Sequence, residues 1–204
     1  MSDKSGGMIG GIQVLRALAA VLVTICHAQA EVANIAGLPS AWPPAALANL
    51  AGFAVQLFFV ISGFIMVYST EPLFRTANGP WEFLKRRLVR IVPLYWIVTS
   101  LYLALMLLVS EFAKGYPTSF VIASYFFIPA ARPDGVIEPV VGQGWSLNYE
   151  MLFYVIFAAT VFASRRVSVA MVSVILLSLI VVGNVASSLP LVLSFWTSPI
   201  LLHF

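Results

Sequence analysis

Five stretches of this chain, roughly 12–31, 48–69, 88–109, 146–163 and 167–187, are each long and apolar enough to cross a bilayer. A spanning helix needs about 20 mostly apolar residues, because hydrocarbon offers no water to exposed backbone groups. That requirement sets the expected fold class: an all-α integral membrane protein, a polytopic helical bundle with five complete spans. A sixth stretch, "LVLSFWTSPILLHF", starts near 191 and reaches Phe204 short of a full span. The run "SFVIASYFFIP", 119–129, is too short to cross and is expected to be interfacial or re-entrant. Only 9% of the residues are charged, against about 25% in soluble domains.

Loop signals separate the spans: "GLPSAWPP", "ANGP" and "IPAARPDGVIEP". No internal repeat or low-complexity tract is visible, so residues 1–204 read as one transmembrane domain. The first span reads as a retained helix rather than a removed leader, since Arg16 interrupts its apolar run. Lysines and arginines set the expected orientation. Lys4 precedes the first span; Arg75, Lys85, Arg86, Arg87 and Arg90 lie between the second and third; Arg165 and Arg166 lie between the fourth and fifth. All fall on the cytoplasmic side if the N-terminus is inside. The 111–144 segment, with Glu111, Lys114, Arg132, Asp134 and Glu138, is then outside.

Composition also excludes classes. The formal net charge of +3 comes without a basic stripe interleaved with aromatics, so the bilayer is the expected partner and nucleic acid is not. Cys26 is the one cysteine, which rules out an intrachain disulfide and a cysteine metal cluster. Two histidines, His27 and His203, are too few for a histidine metal site, and no metal or bound cofactor is expected.

The chemistry-bearing residues are the polar ones inside these spans. "RALAAVLVTICH", 16–27, opens on an arginine and closes on a histidine eleven positions later. Eleven helical residues turn through about 1100°, three turns plus about 20°, so Arg16 and His27 share one face about 16 Å apart. Ionisable groups at such depth cost several kcal/mol unless they face the bundle interior or water. Arg16 either snorkels to the inner headgroups or lines a path. His27 is either a hydrogen-bonded interior histidine or a reactive one. In the second span, "GFAVQLFFVISGF" puts Gly52, Gln56 and Gly63 on one face. The glycines suit close helix packing, and Gln56 and Ser62 are secondary candidates for lining a site.

The third span begins "KRRLVRIVPLYW", 85–96, with Arg87 and Arg90 on one face. This basic run is either an inner-side anchor with its aromatics or a phosphate grip. The fourth begins "GWSLNYEMLFY", 144–154. Ser146, Glu150 and Tyr154 recur at i, i+4 and i+8, and Glu150 misses the capping-box position by one residue. An acid within a span is a site candidate. The expected topology puts His27 and Glu150 both in the outer half, where they meet only if the first and fourth spans pack together.

Taken together, Arg-x10-His, "FFVISGF", "RRLVRIVPLYW" and "GWSLNYEMLFY" resemble the membrane-bound acyltransferase 3 family, in the manner of its exopolysaccharide O-acetyltransferase members. The resemblance runs from about residue 9 to the end. Members are longer and carry more membrane helices, so the chain is expected to correspond to their N-terminal part and to be truncated at its C-terminus. "SPILLHF" departs from the acid–Phe pair often found there, and His203 is given no role. The resemblance implies transfer of an acyl group, usually acetyl, from cytoplasmic acyl-CoA to a glycan hydroxyl at the cell membrane. It makes His27 the base or acyl carrier and Glu150 the acid that orients its ring. Arg16, Arg86, Arg87, Arg90, Gln56, Ser62, Trp145, Ser146 and Tyr154 are the expected substrate-binding residues. The competing readings are a polytopic transporter of a glycan or its precursor, and a non-catalytic truncated member. The chain shows no paired broken helices or inverted repeat of the kind transporters use.

Overall fold

A computed structural model describes residues 3–35, 45–109 and 115–185. The described regular structure is helical, apart from one isolated bridge between Ala131 and Ile137. In chain order the α-helices are α1 (Asp3–Ile35), α2 (Ala45–Ser69), α3 (Gly79–Val109), α4 (Thr118–Tyr125), α5 (Trp145–Ala158) and α6 (Arg165–Val185). The chain divides into two compact units, the first containing α1 and α2 and the second beginning at Thr70. The loop "GLPSAWPP", Glu111, Lys114, the stretch from 191 and His203 lie outside the described residues.

Four of these helices carry segments long and apolar enough to cross a membrane: Gly10–Gln29, Asn49–Ser69, Gly79–Leu108 and Arg165–Val182. They correspond to the first, second, third and fifth expected spans. The fourth differs. Instead of running over 146–163, α5 stops at Ala158 after 14 residues, a length of about 21 Å against about 30 Å of hydrocarbon. Turns follow, in which the Thr160 hydroxyl donates to the Phe157 carbonyl at 2.8 Å. α5 is apolar because it is interior: Trp145, Asn148, Met151, Tyr154, Phe157 and Ala158 are buried along one stripe. A buried helix and a lipid-facing one have the same composition, so apolarity alone does not separate α5 and the turns after it from a single span.

The second unit is built on α3. Phe83, near the start of α3, meets Phe157 at 4.9 Å between ring centroids and Tyr154 edge-on at 6.0 Å. Gly79 opens the helix where an added Cβ would overlap the Leu73 carbonyl, so no larger residue fits without backbone movement. The Arg75 N–H donates to the Val161 carbonyl at 3.1 Å, and Arg165 pairs with Glu71 at 2.9 Å. The turn before α3 and the turn after α5 are thus tied together. Arg75, the basic run that opens α3 and the start of α6 lie at one end of this unit, as the charge pattern anticipates.

The segment between α3 and α5 does not stay beyond the far end of α3. The Tyr95 hydroxyl donates to the Ser124 carbonyl at 3.1 Å, the Trp96 indole N–H donates to the Tyr125 carbonyl at 2.9 Å, and Ser100 shares a 2.6 Å bond with the Tyr125 hydroxyl. Tyr95 is 14 residues before Val109, or about 21 Å along the helix. The end of α4 is therefore re-entrant with respect to α3, one of the two alternatives expected for 119–129. The Val140 N–H bonds to the Ser124 hydroxyl at 3.0 Å and closes the segment on itself. α5 then starts beside Tyr95, where Gly144 matters: a Cβ there would sit 3.1 Å from the Tyr95 ring.

Candidate functional site

In the first unit, α1 packs along α2. Arg16 is half-buried, and its guanidinium lies 4.9 Å from the centroid of the Phe58 ring. A cation over an aromatic face is attracted by the ring quadrupole, an effect of about 0.5–2 kcal/mol depending on desolvation. Arg16 therefore engages the neighbouring helix rather than only reaching for headgroups. Its ring partner, in "FFVISGF", carried no signal that singles out Phe58 from Phe59. His27 is half-buried, as are Cys26 and Gln56, and Ser62 is buried. Gly52 is buried beside Ala51 and Ala54, in keeping with close helix packing. Gly63 is not a packing glycine: a Cβ added there meets nothing within 4 Å. Its place on the Gly52 face follows from helical periodicity, but the facing helix does not come close at that level.

The second unit brings the expected residues of α3 and α5 together. Tyr154 is the hub. Tyr154 is 2% exposed; its hydroxyl donates a hydrogen bond to Glu150 one turn earlier; and its ring lies 5.8 Å from the Arg87 guanidinium carbon. Arg87 lies equally over Phe83, at 5.5 Å. Arg90 follows one turn later and is exposed. Tyr154, one of the expected substrate-binding residues, has both its hydroxyl and its ring engaged inside the protein.

Glu150 was expected in the outer half. α5 runs antiparallel to α3, from Gly144 at Tyr95 to Tyr154 at Phe83 and Arg87, so Glu150 lies toward the basic end of α3. The cause is the re-entrant segment, which brings the start of α5 beside Tyr95, near the middle of α3. Arg86 was grouped with Arg87 and Arg90, but successive helical residues diverge by about 100°. Arg86 instead pairs with Glu82 at 2.8 Å on an exposed face, an i,i+4 pair of little energetic weight.

Trp145 is buried with Tyr149 edge-on at 5.9 Å, and Ser146 is half-buried. Ser146 does not cap α5; Gly144 holds that position, and no side chain caps it. Asn148, not singled out from sequence, is 1% exposed, and its Oδ1 has no hydrogen-bond partner among the described residues. Its signal was available: an amide within an apolar helix implies a polar contact or cavity. Between α4 and α5, Arg132 pairs with Asp134 at 2.6 Å and Glu138 at 3.3 Å. The Val136 N–H donates to Asp134 at 3.1 Å; with Arg132 it holds the Asp134 carboxyl below the usual range. An open apolar groove of about 530 Å³ between α3 and α5, lined by Leu88, Val92, Pro93, Met151 and others, offers space but no ionisable lining group except Tyr125.

His27 and Arg16 belong to the first unit, and Glu150, Arg87 and Arg90 to the second. What the second assembles is a buried tyrosine joined to a carboxylate and stacked against an arginine, beside another arginine on the same face. Guanidinium groups suit phosphates because their donors form a planar fork.

Comparison with known proteins gives two matches. A family described as an acyltransferase domain matches residues 9–204. The exopolysaccharide production protein ExoZ of Rhizobium meliloti (strain 1021) is 40% identical over 156 residues, 74% of this chain and 47% of that protein. The chain thus spans about half the length of this curated relative. No solved structure matches.

Proposed function

This chain belongs to the membrane-bound acyltransferase 3 family, and from that premise we propose that it takes part in acyl transfer, most simply of acetyl, from cytoplasmic acyl-CoA to a hydroxyl of an exported or surface glycan. The observation that carries the reading is the basic pair Arg87 and Arg90 beside the Tyr154–Glu150 clasp, at the end of α3 where the chain's basic residues gather. By the basic-residue rule that end faces the cytoplasm, in the inner membrane. CoA is cytoplasmic and polyanionic, so a pair of arginines there suits its phosphates. The glycan acceptor draws support from the relative's name, an exopolysaccharide production protein.

In the proposed reaction the acceptor oxygen attacks the thioester carbonyl. The new C–O bond forms, the C–S bond breaks, and the hydroxyl proton passes through His27 to the leaving thiolate. Acyl transfer by way of the His27 ring gives the same balance in two steps. Arg16, on the same face of α1, steers the donor's anionic groups. The family resemblance makes Glu150 the acid that orients His27. Its bond to Tyr154, whose ring faces Arg87, supports a different role, in which Glu150 belongs to the framework of the donor-binding arginines. The apolar helices keep water from the thioester.

Mass spectrometry of surface polysaccharide from cells with and without the gene tests this reading, together with acyl-CoA consumption by isolated membranes. Loss of an acyl mass from the glycan upon deletion, with acyl-CoA consumption restored by the gene, is the expected outcome. Unchanged glycan acylation would overturn the reading, and glycan movement without acyl-CoA consumption would favour a transporter.

A further inference from the structure

We propose that Tyr154 is a positioning residue of the donor end, holding Glu150 through its hydroxyl and Arg87 through its ring; the proposal rests on the acyl-transfer reading above. Three observations support it. Tyr154 is 2% exposed, so it offers almost no surface to a substrate. Its ring is set edge-on to Phe83, which is also 2% exposed, with centroids 6.0 Å apart. The Arg87 guanidinium then lies over both rings, at 5.5 and 5.8 Å.

The physical consequence is a fixed spacing between acid and base. A guanidinium on a long side chain has many rotamers and loses entropy when it grips a ligand. Two immobilised aromatic faces narrow those rotamers before the donor arrives. Glu150 lies one turn from Tyr154 on the same helix, and the hydroxyl bond narrows the rotamers open to its carboxylate. One tyrosine thus couples α5 to α3 at the point where donor phosphates are proposed to bind, and it does so from behind the site. Pre-organisation of this kind strengthens binding by reducing what must be ordered upon association.

The two halves of the side chain can be separated. Tyr154→Phe keeps the ring and removes the bond to Glu150. Tyr154→Leu removes both. The experiment measures kcat and the donor KM with acetyl-CoA, in membranes carrying the full chain at matched abundance. Tyr154→Phe is expected to raise the donor KM several-fold, up to about tenfold, with kcat at saturating donor nearly unchanged. Tyr154→Leu is expected to raise KM further. Tyr154→Phe added to Glu150→Gln should give no more than Glu150→Gln alone, because the hydroxyl acts through that carboxylate. A merely structural tyrosine would reduce abundance or kcat, leave KM in place and add to Glu150→Gln. Wild-type KM in Tyr154→Phe, alongside a raised KM in Glu150→Gln, overturns the positioning role alone. Wild-type kinetics in both Glu150→Gln and Arg87→Ala overturn the donor-site reading and this proposal with it.

Discussion

α1 has 33 residues and buries few of its described ones, Ala19 and Ala33; α5 has 14 and buries a whole stripe. Each carries an ionisable side chain proposed to serve acyl transfer, His27 on α1 and Glu150 on α5. α1 holds its groups at a distance, along one face, with Arg16 braced against Phe58. α5 holds its acid in a local clasp against α3. A long span sets the spacing of its side chains along the membrane normal. A short interior helix fixes a side chain's orientation and leaves little room for substrate. The difference teaches that length and burial constrain a side chain separately, and it underlies the proposed division, chemistry on α1 and donor positioning on α5.

The largest effect that tests this division belongs to His27. His27→Ala is expected to lower glycan acylation at matched membrane abundance by about 10²- to 10⁴-fold, the usual size of lost acid–base catalysis, with donor KM unchanged. A fully active variant breaks the comparison at once. Next come the arginines. Arg87→Ala combined with Arg90→Ala should raise the donor KM by about 10- to 100-fold, the size of one lost hydrogen bond to a charged group at about 1.5–3 kcal/mol, with the exposed Arg90 adding little against solvent. Lysine at either position should rescue only partly, because the fork is lost. If donor KM holds while the protein is mislocalised in the membrane, the basic run is an anchor and not a grip.

Stability sharpens the picture of the second unit. Gly79→Ala forces an overlap with the Leu73 carbonyl, and overpacking of this kind costs about 1–3 kcal/mol. A lowered unfolding midpoint in detergent is the expected result; Gly63→Ala in the first unit should leave it unmoved, as the site is open. Labelling probes the geometry of the ends. In a Cys26→Ala background, Arg75→Cys and Ser164→Cys should react from the cytoplasmic side, and Gly115→Cys from the other. Labelling of Arg75→Cys and Ser164→Cys from opposite sides would contradict the bond between Arg75 and Val161.

The smallest effect concerns Asp134. Its folded pKa is depressed, so the stability it lends its loop is present above the unfolded carboxylate value and lost as pH falls through the lower folded one. Proteolysis of the 131–137 loop should rise over that acidic window, and Asp134→Asn should remove the pH dependence without changing acylation.

The sequence alone determined the membrane class, because backbone groups in hydrocarbon demand long apolar helices, and four such helices are present among the described residues. Helical periodicity alone also put Arg16 with His27, and Arg87 with Arg90, on common faces. The gathering of basic residues at one end of the second unit was legible in the loops, since charge is costly anywhere else. Tertiary structure alone decided the rest. That α5 is interior, that α4 turns back to Tyr95, and that Glu150 lies toward the basic end all depend on which apolar surface meets protein and which meets lipid. Lipid and protein interior are equally apolar, so no hydropathy pattern separates them. The bond of Tyr154 to Glu150 was within reach of i,i+4 reasoning, but the stacking of Arg87 on Tyr154 joins residues 67 positions apart, and only the packing of α3 against α5 brings them together.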